Sequence, residues 1–250
     1  MYLLLIFLII LVIPFAVVPR HIKINILPPY RIVLYSTLTV ASLAALIFMI
    51  AAFSGEGLYS QLYAVVKLMS EQLASEPMFI ETFRMTEMSD TERINAVLHI
   101  YDSGLKRLPV TIMFMGMVVS YIAYIIISRL MSKKHEVKKM PKFREFTFPH
   151  GAAMAVMIMY LISWIMMTSE ASVGEILYMN VNMLFDLVFV IQGIAVVFMF
   201  FHFKRVPQTV SVIVSGIMWM TAIGETFLVL LGMADLFLGV RGWIAAKNGR

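Results

Sequence analysis

Five polar side chains in the second half of the chain lie in otherwise apolar surroundings, and they are the residues best placed to do chemistry. Asn182, Asp186 and Gln192 belong to one long apolar run, and Thr221 and Glu225 belong to the next. An ionisable group inside an apolar membrane span is energetically costly, so it is by default a candidate functional site. These five side chains are therefore the candidate ligand-binding residues.

A short basic turn, His202 to Pro207, joins the two runs and predicts an antiparallel helical hairpin. Asp186 and Glu225 lie nineteen to twenty residues on either side of the centre of this turn, Arg205, so at about 1.5 Å per residue both would lie about 29 Å above it. Two carboxylates in one outward-facing pocket would repel each other and favour a cationic or amine-bearing small molecule, or a proton. The alternative is that both acids simply reach the outer headgroups, because about 29 Å nearly exhausts the ~30 Å hydrocarbon core.

The composition is that of a membrane protein. Of the 250 residues, 61% are hydrophobic and 14% are charged, whereas soluble domains have about 45–50% apolar and about 25% charged residues. Several apolar runs approach or exceed the ~20 residues that a helix needs to cross a bilayer. The sequence therefore predicts an all-α, polytopic transmembrane helix bundle of about six spans, with one membrane domain covering residues 1–250.

We place the spans at residues 3–18, 32–53, 108–130, 149–167, 176–201 and 208–233. Pro14 is a candidate kink or exit point of the first span. The segment 58–105 is polar enough to lie outside the membrane, and its apolar residues recur at helical spacing. Ser89 and Glu92 form a Ser-x-x-Glu pattern that predicts a capping box at the start of a helix. We therefore expect amphipathic helices here, on the membrane surface or over the end of the bundle.

Basic residues between the spans indicate the orientation. The loop after the third span carries Arg129, Lys133, Lys134, Lys138, Lys139, Lys142 and Arg144, and the positive-inside rule places it in the cytoplasm. The same loop could attract anionic lipids, although a role in setting the membrane orientation is enough to explain its basic residues. The net charge is +5, and the basic residues lie in short loops between the spans. We therefore expect the lipid bilayer as a partner and do not expect binding to nucleic acid.

The motifs of common enzyme and cofactor sites are absent. The chain has no cysteine, no phosphate-binding Gly-x-x-x-x-Gly-Lys loop, no His-Glu-x-x-His pair and no Gly-x-Ser-x-Gly elbow. Its histidines are scattered over loops and span ends, which argues against a His-ligated metal site. The 22 methionines do not cluster, so we interpret them as flexible core filler rather than copper ligands. We expect no catalytic site, metal or cofactor.

Both ends of the chain carry further expectations. Residues 1–18 lack the basic region and cleavage site of a signal peptide, so we interpret them as a retained first span. A start almost directly in a membrane segment suggests that upstream helices are missing from this sequence. Near the other end, Asp235 and Arg241 are six residues apart, too far for an i,i+4 pair. We therefore predict that Asp235 caps or ends the last span, that Arg241 anchors the tail at the headgroups, and that Asp235→Asn destabilises only modestly.

Three stretches of the second half carry a resemblance to a known family: Met140 to Pro149, Ile191 to Val197, and Leu231 to Asp235 running on to Arg241. Together they resemble the YybS-like family of uncharacterised bacterial membrane proteins, over roughly residues 105–243. The resemblance implies a multi-pass protein of the bacterial inner membrane. It also implies a distant similarity to the S components of energy-coupling-factor transporters. Such components bind a small molecule between helices and rely on partner subunits for ATP hydrolysis.

The leading functional hypothesis is a small-molecule-binding, transporter-like membrane subunit with transporter-coupling partners. The alternative is a membrane scaffold that docks other envelope proteins. Thr37, Ala41 and Ala45 recur every four residues and would give such a scaffold a small-residue face, although packing within the chain is the simpler explanation of that face. An intramembrane enzyme ranks well below both, because no nucleophile and base can be paired.

Overall fold

The computed structural model describes residues 2–53, 57–132, 137–169 and 174–248, and every regular element within these ranges is helical. This confirms the all-α fold. The chain forms two compact units, residues 1–138 and 139–250, which are described separately below. The assignment of one membrane domain to the whole chain stays a prediction.

The first unit contains α1 (Tyr2–Ile24), α2 (Pro29–Phe53), α3 (Leu58–Ser75), α4 (Pro77–Thr82), α5 (Asp90–Lys106) and α6 (Leu108–Met131). The long helices α1, α2 and α6 are apolar enough to cross a membrane. Helix α1 does not end at Pro14 but continues through Pro14 and Pro19 to Ile24, and the kink or exit at Pro14 stays a prediction. The helix ends where Asn25 takes a left-handed conformation (φ 52°) and donates its N–H to the carbonyls of His21 and Ile22.

Helices α2 and α6 pack closely through small residues. A Cβ added at Gly116 of α6 would lie 2.9 Å from Cγ1 of Val40 on α2, and the buried hydroxyl of Ser120 donates to that of Ser36 at 2.9 Å. The face of α2 that packs on α6 thus contains Ser36 and Val40, each of which precedes a residue of the predicted small-residue face. Of that face, Thr37 is buried, Ala41 is half-buried and Ala45 is exposed.

Helices α3, α4 and α5 lie between α2 and α6, where the apolar spacing predicts helices. Ser89 and Glu92 form the predicted capping box at the start of α5: the Ser89 N–H donates to the Glu92 carboxylate at 2.8 Å, and the Glu92 N–H donates to the Ser89 hydroxyl. Helix α3 packs against α5, where the Tyr59 hydroxyl donates to Asp102 and Lys106 forms an ion pair with the same carboxylate at 3.1 Å. Burial and the hydrogen bond to Asp102 raise the pKa of Tyr59 to about 12.

The contact between α3 and α5 is expected to weaken in acid. Burial alone would raise the pKa of the Asp102 carboxyl, but hydrogen bonds from Tyr59 and Lys106 and the Lys106 charge hold it below its ordinary value. Such a group contributes stability above its unfolded pKa of about 3.9 and loses it as the pH falls through the lower folded pKa. Hydrogen exchange of α3 amides, corrected for intrinsic rates, should therefore accelerate below about pH 4.

Asp102→Asn removes the titrating group and should abolish this acceleration, whereas Glu71→Gln, an exposed acid on α3, should leave it unchanged. An α3 exchange rate that is independent of pH in the wild-type protein would contradict the prediction.

The second unit contains a short 3₁₀ turn (Phe143–Glu145), α7 (His150–Thr168), α8 (Gly174–Phe203), α9 (Gln208–Met220), α10 (Ala222–Leu238) and α11 (Val240–Asn248). Helices α7 and α8 are long and apolar enough to span a membrane. Helices α9 and α10 pass that test only as a pair, bent by 111°, which makes them a broken span or a re-entrant loop. The described chain therefore has five or six candidate spans, which confirms the prediction of about six.

The prediction of one continuous helix over residues 208–233 is wrong, because the helix breaks at Thr221. Thr221 is extended (φ −109°, ψ 135°), and its hydroxyl accepts from the Gly224 N–H to cap α10. A Cβ at Gly224 would lie 2.2 Å from the Met218 carbonyl oxygen, so the tight break requires glycine there. Hydropathy is high on both sides of the break, which is why the apolar pattern does not reveal it.

Helices α8 and α10 are in backbone contact at two glycines. A Cβ at Gly232 would lie 2.0 Å from the Phe189 carbonyl oxygen, and one at Gly193 would lie 2.1 Å from the Leu228 carbonyl oxygen. Phe189 and Leu228 are fully buried on either side of this crossing. Small residues at a helix interface let two backbones approach closely, so these glycines set the distance between α8 and α10.

Candidate functional site

Asp186 lies on α8 with its carboxylate half-buried among polar and aromatic groups of the same unit. The Asn182 side-chain amide, one turn earlier, donates to it at 2.9 Å. Tyr160 of α7 also lies within electrostatic range of Asp186, and its ring stacks on Phe185 at 4.6 Å. The Tyr160 and Tyr178 hydroxyls are 3.5 Å apart. Asp186 therefore lies beside hydroxyl and amide groups that can hydrogen-bond to a ligand.

Glu225 lies in the first turn of α10, directly after the break, and is half-buried. Its carboxylate is close enough to that of Asp186 for electrostatic repulsion to act between them. Asn182, Asp186 and Glu225 together are called the acidic site below.

The structure does not bring all five predicted side chains together. Thr221 is exposed, and its hydroxyl caps α10 and donates to the Met218 carbonyl at 3.1 Å. Gln192 is fully buried, and its amide oxygen accepts from the Phe148 N–H at 3.2 Å. Both side chains thus have partners within the fold, and the binding role of all five residues stays a prediction.

The buried amide of Gln192 belongs to a separate polar cluster, which we call the Asp235 clamp. Gln192 Nε2 donates to Asp235 Oδ2 at 2.6 Å, and Arg241 Nε donates to the same oxygen at 2.7 Å. The Arg241 N–H donates to Asp235 Oδ1 at 2.8 Å. The Arg241 guanidinium also reaches the loop before α7, through the carbonyls of Arg144 (3.1 Å) and Phe146 (2.6 Å) and the Thr147 hydroxyl (2.6 Å). The clamp ties α8, α10, α11 and this loop together.

The clamp corrects the expectation that Asp235 and Arg241 stay apart. The two side chains form an ion pair, with 3% of the Asp235 side chain and 13% of the Arg241 side chain exposed. The spacing argument fails because the chain is not one helix between them: Gly239 takes a left-handed conformation (φ 68°) that ends α10 and turns Arg241 back towards Asp235. A glycine just after an apolar helix is a known stop signal, so this signal was present in the sequence.

No group of His, Asp and Glu side chains in the described part of the chain is arranged to hold a metal ion. The side chains of the acidic site offer hydrogen-bond acceptors and donors around two carboxylates.

Comparison with known proteins agrees with this architecture. Residues 1–236 match the family described as "Predicted membrane protein (DUF2232)". The chain is also similar to the Bacillus subtilis (strain 168) protein "Uncharacterized protein YybS", with 21% identity over 187 residues. That similarity covers 73% of this chain and 56% of the relative, so the chain spans just over half the length of the curated protein it matches. No solved structure matches the chain. The YybS-like resemblance in the sequence is thus confirmed, and the chain belongs to the DUF2232 family of predicted membrane proteins.

Proposed function

We propose that this chain is a small-molecule-binding, transporter-like subunit of the bacterial inner membrane, and that the acidic site binds a cationic or amine-bearing ligand. One observation supports this most: two apolar helices, α8 and α10, bring the carboxylates of Asp186 and Glu225 close enough to repel each other. Ionisable groups at membrane depth commonly mark substrate or ion pathways. A cation between the two carboxylates would relieve their repulsion.

The helix break beside the acidic site supports the same proposal. Transporters commonly form their substrate and ion sites at discontinuous membrane helices, where backbone groups are released from the helical pattern. Here the break at Thr221 lies one turn before Glu225, and the amino-terminal end of α10 attracts the Glu225 carboxylate through the helix dipole. Glu225 therefore lies at the amino-terminal end of α10, next to the half-buried Asp186.

Ligand binding is tested by titrating the full chain, in phosphatidylcholine nanodiscs, with primary amines and quaternary ammonium compounds. We expect one or more of them to bind and to raise the unfolding temperature. Asp186→Asn and Glu225→Gln should each weaken binding at least tenfold, because a charged hydrogen bond contributes about 1.5–3 kcal/mol and a tenfold change is about 1.4 kcal/mol. Both variants should remain folded.

Glu175→Gln is the matched control, because Glu175 is an exposed acid on α8 outside the acidic site. It should bind the same amines as the wild-type protein. Failure of the wild-type protein to bind any cationic compound, or equal weakening by Glu175→Gln, would contradict the proposal.

The scaffold alternative makes a different prediction about partners. Purification in mild detergent should recover an ATPase and its membrane coupling subunit if the chain is an S-component-like subunit, and envelope-assembly or division proteins if it is a scaffold. The structure favours the transporter-like role, since Thr37 is already buried within the first unit and only part of the small-residue face is open to a partner.

A further inference from the structure

A second candidate site lies in the same unit as the acidic site but shares no residue with it. It is a cavity of about 220 Å³ between the loop before α7 and the turn that joins α8 to α9. Its lining residues are Lys142, Phe143, Arg144, Phe198, His202, Val206, Gln208 and Ser211. No acidic side chain is among them, and we call it the basic cavity.

The wall of the basic cavity is held in place by contacts elsewhere in the fold. Phe143 packs edge-to-face on Phe198 of α8, with ring centroids 5.4 Å apart, and stacks on Phe146 at 5.9 Å. The Asp235 clamp holds the backbone of the same loop, because Arg241 donates to the carbonyls of Arg144 and Phe146. Lys142 and Arg144 therefore project from a fixed backbone, which reduces the entropy lost when a ligand binds.

The positive charge of the basic cavity is largely uncompensated. Arg144 has one acidic neighbour, Glu145, at 3.7 Å, which is too long for a hydrogen bond. The Lys142 side chain has no ion pair with any described residue. Helix α9 begins at Gln208, after Pro207, and its amino terminus carries partial positive charge. An anion in the cavity would thus meet two cations and a helix amino terminus.

Hydroxyl groups extend the polar lining along α9. Ser211 is buried and lines the cavity. Ser215 follows one turn later on the same face, and its buried Oγ has no hydrogen-bond partner within the described chain. A buried polar atom without a partner costs free energy, so this face of α9 is more polar than packing requires.

We propose that the basic cavity binds a phosphate-bearing anionic group. Pockets for drug-sized molecules measure about 300–1,000 Å³, so a cavity of about 220 Å³ suits a single small headgroup or ion. Phosphate groups bind where helix amino termini and basic side chains converge. The positive-inside rule places this loop in the cytoplasm, where anionic phospholipids and soluble phosphate esters both present the same chemistry.

The experiment uses the full chain in phosphatidylcholine nanodiscs at physiological ionic strength, where the Debye length of about 8 Å screens general surface attraction. One arm adds phosphatidylglycerol and counts bound lipid by native mass spectrometry. The other adds glycerol 3-phosphate and measures binding by calorimetry. We expect saturable binding in at least one arm. Lys142→Gln and Arg144→Gln should each weaken binding about tenfold or more. Arg144→Lys keeps the positive charge and should retain most of the affinity that Arg144→Gln loses.

Lys139→Gln is the matched control, because Lys139 is an exposed base of the same loop that does not line the cavity. It should weaken binding less than twofold, and all variants should unfold at the wild-type temperature in phosphatidylcholine alone. Binding in the lipid arm alone assigns a membrane headgroup, and binding of glycerol 3-phosphate assigns a soluble phosphate ester. No binding in either arm, or equal weakening by Lys139→Gln, overturns the proposal.

Discussion

Asp235→Asn is expected to destabilise the second unit by about 3 kcal/mol or more, because it removes one partner of a buried ion pair. The Asp235 carboxylate accepts from Gln192 Nε2 and from both the backbone N–H and the Nε of Arg241. An asparagine amide cannot accept all three hydrogen bonds, and the buried guanidinium would lose its counter-charge. The cost of an unpaired buried charge exceeds that of a lost neutral hydrogen bond.

The free energy of unfolding can be measured in detergent by reversible denaturant titration. Asp90→Asn is the matched control, since Asp90 pairs with Arg93 while 91% of its side chain is exposed. That variant should change stability by no more than about 0.5 kcal/mol. A double-mutant cycle with Arg241→Gln should give a coupling energy of about 1–3 kcal/mol. Loss of less than about 1 kcal/mol in Asp235→Asn would mean that the clamp is not a structural ion pair.

Most of the helices could be predicted from the sequence because their signals are local. The length of an apolar run decides whether a helix can cross the bilayer, and α2, α6, α7 and α8 begin and end within a few residues of the predicted spans. The capping box of Ser89 and Glu92 is equally local, since both residues belong to one turn. The end of α1 does not follow from its prolines, because α1 continues through both of them and ends at the left-handed Asn25.

The tertiary features could not be predicted, because they depend on residues far apart in sequence. The helix break needs Gly224 against the Met218 carbonyl, and the apolar pattern is the same with or without it. Gln192 appeared as an intramembrane polar group free to bind a ligand, but its partners, Phe148 and Asp235, are more than forty residues away. In the candidate site, only the hydrogen bond from Asn182 to Asp186 follows from i,i+4 spacing.

Gly232→Ala is the second change expected to have a large effect, and it acts through backbone contact rather than charge. The added Cβ would lie 2.0 Å from the Phe189 carbonyl oxygen and 2.9 Å from the Gly193 nitrogen. Real Cβ atoms essentially never come within 3.0 Å of a heavy atom on another helix, and backbone atoms of a packed helix cannot rotate away as a side chain can. Helices α8 and α10 must therefore separate, at a cost of about 3 kcal/mol or more.

Gly216→Ala on α9 is the control for the same chemical change. A Cβ there meets nothing within 4 Å, so the higher helix propensity of alanine should stabilise that variant by up to about 1 kcal/mol. The two substitutions are thus expected to have opposite signs in the same denaturant titration. Equal stability of Gly232→Ala and the wild-type protein would show that α8 and α10 are farther apart than described.

Separation of α8 from α10 should also weaken the Asp235 clamp, because Gln192 lies next to Gly193 and Asp235 lies one turn after Gly232. Once Gly232→Ala has moved Gln192 away from Asp235, little of the clamp is left for a second substitution to remove. The destabilisation of the double variant Gly232→Ala/Asp235→Asn should therefore be smaller than the sum of the two single effects, by about 1 kcal/mol or more. Strict additivity would mean that the glycine contact and the clamp stabilise the second unit independently.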